Sequence, residues 1–401
     1  MSFGMCNFIL KSSERYCIIT DHSTKLPVYY PNLFITSQIR NKNDSVSTMV
    51  SSASCLILLL NFLGSRKIDI TERIYSKDFL SISELDDLRD FSQKKTIREN
   101  KGNTKNLARK KDKFVTAKTQ YLRLTVIYKY IEWLALHLSG SQDDFFTDRL
   151  NHCIKAIKER RPHKKGRNGI INEKSLTSEE IDILFEVIRV GSELNPFRKL
   201  VQRRNRLIIL MLYYLGVRGG ELLNIRIGDI NFGSNQLSIV RRADDKNDPR
   251  IIQPLVKTNE RVIPLNDALA KQIHDYILYD RNKVAKEKKH DYLFVNHRGG
   301  MSEGVPLNYA AYAKIIHSIK DNAPSLKTLT GHMLRHTWNI EFSKRMDTMD
   351  NAPTVERQEQ LRSYLMGWKS GSGSASVYNK RFVNEKAYEV ALELQNNLKG
   401  G

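Results

Sequence analysis

Gly331-His332-Met333-Leu334-Arg335-His336-Thr337 opens a stretch that continues through Leu365-Met366-Gly367-Trp368 and reaches Tyr378 ten residues after the tryptophan. His332 and Arg335 are three apart, so on a helix they share a face and both can reach one anion. A tyrosine hydroxyl becomes a nucleophile only where something stabilises the loss of its proton. Upstream, Gly216-Val217-Arg218-Gly219-Gly220-Glu221-Leu222-Leu223 offers a second arginine at what reads as the start of a helix. Two arginines, a histidine and a tyrosine, with no carboxylate cluster for a metal, describe a site for a phosphodiester attacked by a side chain.

The rest of the composition fits a polyanionic partner. The chain has 401 residues, enough for two or three domains, and 65 Lys+Arg against 44 Asp+Glu give a net charge of +21. Nucleic acid is the first candidate and an acidic membrane surface the second. Cys6, Cys17, Cys55 and Cys153 form no C-x-x-C pair, which argues against a disulfide framework or a zinc module and fits a reducing cytosol. The longest apolar run, Cys55 to Leu63, is broken by Asn61 and is about half of a bilayer span. No basic segment followed by a hydrophobic stretch opens the chain. A soluble, cytoplasmic protein is expected, nucleoid-associated if bacterial, with no membrane partner.

Along the chain, residues 1–43 read as an N-terminal arm or small extension, with short strand character at Tyr16–Ile19 and Val28–Ile35. Residues 44–160 read as one small helical domain. It would contain helices over Asp44–Leu63, Phe114–His137 and Asp143–Arg160, and a helix opened by the capping box Ser81-Ile82-Ser83-Glu84. Lys94 to Lys118 holds ten Lys/Arg against two acidic residues, a solvated linker or a DNA-contacting loop. Residues 161–174, with Pro162, Gly166 and Gly169, read as a basic linker. A second capping box, Thr177-Ser178-Glu179-Glu180, begins a larger domain, residues 175–401. There, helices flank two short strands, Gln236–Val240 and Arg261–Pro264, and a last apolar stripe runs over Val383–Leu398. The fold class expected is mainly α with a small antiparallel sheet (α+β).

The order Arg-x-x-Glu-Leu, His-x-Leu-Arg-His, Leu-x-Gly-Trp and then a tyrosine resembles the signature of the tyrosine recombinases, or phage-type integrases. The likeness covers the second domain well and residues 44–160 only in outline, as a helical core-binding domain ahead of a DNA breaking-rejoining catalytic domain. It implies a catalytic set of Arg218, Lys257, His332, Arg335, Trp368 and Tyr378. Tyr378 would attack the scissile phosphate to form a 3′-phosphotyrosyl bond. Arg218, Arg335 and Trp368 would hold the phosphate, Lys257 would protonate the leaving 5′ oxygen, and His332 would assist proton transfer. Lys246 is a rival to Lys257; the continuation Arg261-Val262-Ile263-Pro264-Leu265 favours Lys257. Trp368 stands where the family has histidine or tryptophan, and an indole can only donate. Glu221 is expected to pair with a buried Arg218, and His336 to be buried and structural.

The resemblance further implies double-stranded DNA as substrate, self-association to a tetramer on two DNA sites, accessory DNA-bending proteins, and a role on a mobile genetic element. It implies no metal and no cofactor, because the bond energy is kept in the phosphotyrosine. A His332-x-x-x-His336 zinc site lacks a third ligand. A type IB topoisomerase would use the same attack, and a non-catalytic DNA-binding regulator could share the fold, although a binder has no need of Tyr378.

Overall fold

The computed structural model describes residues 2–95, 114–139, 143–163, 175–369 and 391–393. Its contacts divide the chain into two compact units, Met1–Ile170 and Ile171–Gly401. Most of the basic run from Lys94 to Lys118, the linker from residue 164 onward, Tyr378, and the helix expected over Val383–Leu398 (apart from residues 391–393) lie outside the described residues.

The first unit opens with an antiparallel hairpin, β1 (Phe3–Ile9) and β2 (Arg15–Asp21), in register from Phe3↔Asp21 to Ile9↔Arg15. Arg15, Cys17 and Ile19 are its buried positions, and their spacing of two puts one face of β2 inward. The Asn32 side chain, on α1 (Tyr29–Phe34), accepts from the Ile19 amide at 2.8 Å and donates to the Ile19 carbonyl at 2.8 Å. Cys17, Ile19, Phe34, Ile35 and Ile39 share a core with α2 (Val46–Arg66), α4 (Ile82–Gln93), α5 (Ala117–Leu138) and α6 (Asp144–Glu159). Residues 1–43, expected as an N-terminal arm or small extension, thus contribute side chains to this core. They complete the helical unit, and the short α3 (Ile70–Tyr75) adds Ile70 and Ile74 to the same core.

Local chemistry accounts for the helix starts. Ser81 accepts from the Glu84 amide while the Glu84 carboxylate accepts from the Ser81 amide, so two orphan donors are satisfied reciprocally. Thr116 and Asp143 cap α5 and α6 in the simpler one-way form. By length and composition α2 could cross a membrane, since Ser, Thr and Gly extend the apolar run at both ends. Its Ala53, Leu56 and Leu59 are wholly buried within this unit.

The second unit begins with α7 (Ser178–Val187), opened by the reciprocal Thr177–Glu180 box. Its central helix is α8 (Lys199–Leu215). Leu207 to Leu212 are all buried there, the pattern of a helix covered on every side. The chain then passes through the short α9 (Gly219–Leu222) into a three-stranded antiparallel sheet of β3 (Ile230–Asn231), β4 (Gln236–Ile239) and β5 (Arg261–Pro264), in that order. Leu237↔Ile263 and Ile239↔Arg261 fix the register of β4 on β5.

The two strands are joined by residues 240–260, a long excursion. Arg250 pins it to the body, donating from Nη1 to the carbonyls of Leu223 (2.9 Å) and Leu307 (2.8 Å) while pairing with Asp248 at 2.8 Å. After the sheet come α10 (Asp267–Asp275), a π-helical turn over Tyr276–Arg281, α11 (Asn282–Ala285) and α12 (Tyr309–Asn322). The last two complete described helices are α13 (Gly331–Asp347) and α14 (Val355–Met366). α13 packs along α8, where Trp338 donates to the Tyr214 carbonyl at 3.0 Å. The molecule is mainly helical with small antiparallel sheets, the class the sequence predicts.

Candidate active site

Glu221 is the hub of the site. It lies in α9, 1% exposed, and its carboxylate faces three guanidinium groups from three separate parts of the second unit. Arg261 of β5 donates from Nη2 to Oε2 at 2.8 Å, and Thr258 Oγ donates to Oε1 at 2.6 Å. Arg335 Nη1 stands 3.8 Å from Oε2, and Arg218 Nη1 stands 3.6 Å from Oε1. Burial pushes the Glu221 carboxyl up. The Arg261 and Arg335 charges and the Arg261 and Thr258 hydrogen bonds outweigh it, so the group is held below the usual carboxylate range.

A carboxyl depressed on folding stabilises the fold fully above its ordinary value near 4.5, and that contribution is lost as the pH falls below it. Glu221→Gln should therefore flatten the acid limb of stability in urea melts below about pH 5. An unchanged limb would mean that other carboxylates carry it.

Each predicted residue has a definite place except Tyr378, which lies outside the described residues. Arg218 precedes α9, and its amide donates to Glu221 Oε2 at 3.0 Å. Its side chain is not buried as expected but 32% exposed, and its Nη1 makes no hydrogen bond. Of the two predicted arginines, Arg335 is the fully buried one. Its Nη1 donates to the Gly216 carbonyl at 2.7 Å, its Nη2 to the Met366 carbonyl at 2.8 Å, and its guanidinium lies 5.6 Å from the Trp368 ring. Buried guanidinium donors need such acceptors, and here they join the end of α8 to the end of α14.

His332 is exposed in the first turn of α13, with its ring 4.6 Å from that of His336 in an edge-to-face arrangement. His336 is half-buried rather than buried. The starts of α9 and α13 meet at one phenol. A Cβ on Gly331 would fall 1.7 Å from the Tyr312 hydroxyl and one on Gly219 would fall 3.1 Å from it, so glycine is needed where these turns close on the ring. Arg218 and His332, each next to one of these glycines, are thereby brought to the same neighbourhood.

Lys257 is exposed between buried Val256 and Thr258, and Lys246 is exposed further back in the same excursion. The turn that carries Trp368 is strapped to the residues after Lys257. Arg261 Nε donates to the Leu365 carbonyl at 2.6 Å, the Asn259 amide donates to the Gly367 carbonyl at 2.9 Å, and Asn259 Nδ2 donates to the Trp368 carbonyl at 3.4 Å. Gly367 takes φ +62°, and a Cβ there would sit 2.8 Å from the Asn259 carbonyl and 2.7 Å from Arg261 Nη1. Only glycine permits both the left-handed turn and this close approach.

Thr258, Asn259, Arg261 and Tyr312 escaped the sequence reading. For Arg261 a signal existed: Arg261, Ile263 and Leu265 alternate inward, so the arginine occupies a core position and must have an acceptor. Among the described residues no three His, Cys, Asp or Glu side chains gather as metal ligands.

The mainly helical fold with small antiparallel sheets is shared by solved recombinase and integrase structures. Two DNA-bound structures share the fold over 86% of this chain: XerH site-specific recombinase with its difH substrate (TM-score 0.51, 17% identity, 80% of that chain) and the Tn1549 transposon integrase with circular intermediate DNA (TM-score 0.50, 15% identity, 94% of that chain). Residues 174–350 match the phage integrase family model. This segment, somewhat under half of the chain, is what resembles the phage integrase family.

Among its relatives are tyrosine recombinase XerD of Halalkalibacterium halodurans, 28% identical over 166 residues (41% of this chain, 46% of the relative), and transposase A from transposon Tn554 of Staphylococcus aureus, 29% identical over 153 residues (36% and 39%). The chain thus spans less than half the length of these curated relatives.

Proposed function

We propose that the chain is a site-specific DNA recombinase that cuts and rejoins double-stranded DNA through a 3′-phosphotyrosyl intermediate. The observation that carries this reading is the convergence on Glu221 of Arg218, Arg335 and the segment that follows Lys257, with Trp368 stacked near Arg335. Guanidinium groups stay charged through the reaction and match phosphate oxygens with a planar fork. Arg218, with a donor uncommitted to any hydrogen bond, binds the scissile phosphate most directly, and Arg335 and Trp368 complete the pocket.

In the cleavage step the Tyr378 phenolic oxygen forms a bond to phosphorus and its proton passes to a base, with His332 as the assisting group. The bond from phosphorus to the 5′ oxygen breaks, the electron pair leaves on that oxygen, and Lys257 supplies the proton. Rejoining is the reverse with a new 5′ hydroxyl. The basic runs between Lys94 and Lys118 and between Lys155 and Arg167 would bind backbone phosphates without reading sequence. Assembly to a tetramer on two DNA sites, accessory DNA-bending proteins, action in the cytoplasm and carriage on a mobile element belong to the same reading.

Incubation with DNA flanking its own gene, in EDTA and without ATP, should yield a covalent protein–DNA adduct that survives denaturation and leaves a free 5′ hydroxyl. Adduct formation that depends on added magnesium, or free ends with no adduct, would contradict the proposal.

A further inference from the structure

We propose that Thr258 is a positioning residue for Lys257, coupling the leaving-group acid to the arginine-binding hub; this rests on the assignment of Lys257 as that acid. Burial alternates over Val256, Lys257 and Thr258, so the lysine is presented outward while both neighbours are anchored inward. Thr258 Oγ donates to Glu221 Oε1 at 2.6 Å and accepts from Arg261 Nη1 at 3.1 Å, using both capacities of a hydroxyl inside a buried ionic cluster. Glu221 is three residues from Arg218, and its Oε2 accepts the Arg218 amide. One continuous chain of bonds therefore runs from the backbone at the phosphate-binding arginine to the residue beside Lys257.

The next residue, Asn259, is fixed to Gly367, so the backbone just after Lys257 is held at two consecutive positions. Lys246 is placed differently. Its neighbours Asp245 and Asp248 are bound to Arg226, Tyr292 and Arg250. A lysine side chain has a flexible four-carbon stem, so the position of its ammonium group depends on a fixed backbone. A misplacement of about 1 Å can cost about 10²-fold in rate.

The test separates proton donation from every other contribution. In DNA whose scissile 5′-bridging oxygen is replaced by sulfur, Tyr378 still attacks phosphorus, but the bond that breaks is P–S. The electron pair leaves as a thiolate, whose conjugate acid has a pKa near about 8.5, so no proton donor is required. With the full-length protein, single-turnover cleavage of matched oxygen and sulfur substrates is compared for Lys257→Ala, Thr258→Val and Thr258→Ser.

Thr258→Val should cleave the oxygen substrate about 10- to 100-fold more slowly than the parent. It should cleave the sulfur substrate at close to the parental rate, and Thr258→Ser should restore the oxygen reaction. Thr258→Ala provides the same comparison should the valine variant not fold. An equal loss on both substrates, or no loss on oxygen, overturns the proposal and leaves Lys257 untouched. If Lys257→Ala is not rescued by sulfur while the parent forms its adduct normally, the acid assignment fails, and the positioning role falls with it.

Discussion

Tyr378→Phe should form no covalent DNA adduct while binding DNA within a few fold of the parent, because one hydroxyl is lost and nothing else changes. An ordinary tyrosine has a pKa of about 10 and is almost wholly protonated at neutral pH. Guanidinium groups converging on the phosphate favour the phenolate as it attacks. Tyr309 and Tyr312 show why a neighbouring tyrosine is a poor substitute. Burial pushes both phenols up, and Tyr312 is locked between the glycines that open α9 and α13. Tyr364 is exposed on α14, in the helix before Trp368. An adduct persisting in Tyr378→Phe would move the nucleophile to another tyrosine.

The second large effect separates the two arginines. Arg335→Met should lose cleavage by about 10²–10³-fold and, in addition, destabilise the second unit by about 3–5 kcal/mol. The carbonyls of Gly216 and Met366 would lose their donor, and Glu221 would lose one of its cations. Arg218→Met should lose cleavage to a similar degree, yet cost less than about 1 kcal/mol in stability, since its side chain is partly in water and its Nη1 makes no hydrogen bond. Thermal melts of the two variants beside single-turnover cleavage check the contrast. Equal melting temperatures for the two variants would show that the buried carbonyl contacts of Arg335 contribute little.

The sequence disclosed features whose causes are local. The Ser81–Glu84 and Thr177–Glu180 boxes announce themselves because cap and partner are three residues apart. The strands at Gln236 and Arg261 announce themselves by alternation. Arg218 and Glu221 share one turn, so their neighbourhood was legible, but the identity of Glu221's hydrogen-bonding partners was not. Thr258 and Arg261 are brought to it by a sheet and a long excursion, and no local period encodes that.

The same reasoning explains Arg335. Spacing put it on a helical face with His332, whereas tertiary acceptors at Gly216 and Met366 draw its guanidinium into the core and leave His332 exposed. Val28–Ile35 reads as strand in the sequence, whereas the chain forms α1 there. Pro31 in fact sits in the first turn of α1, where a missing amide is tolerated.

The central claim, a phosphotyrosyl intermediate on Tyr378, is tested most directly by isolating the denatured protein–DNA adduct, digesting both components and identifying the modified peptide. The account predicts that Tyr378 carries a nucleotide through the 3′ phosphate. A nucleotide on any other residue, or a linkage through the 5′ phosphate, would contradict it.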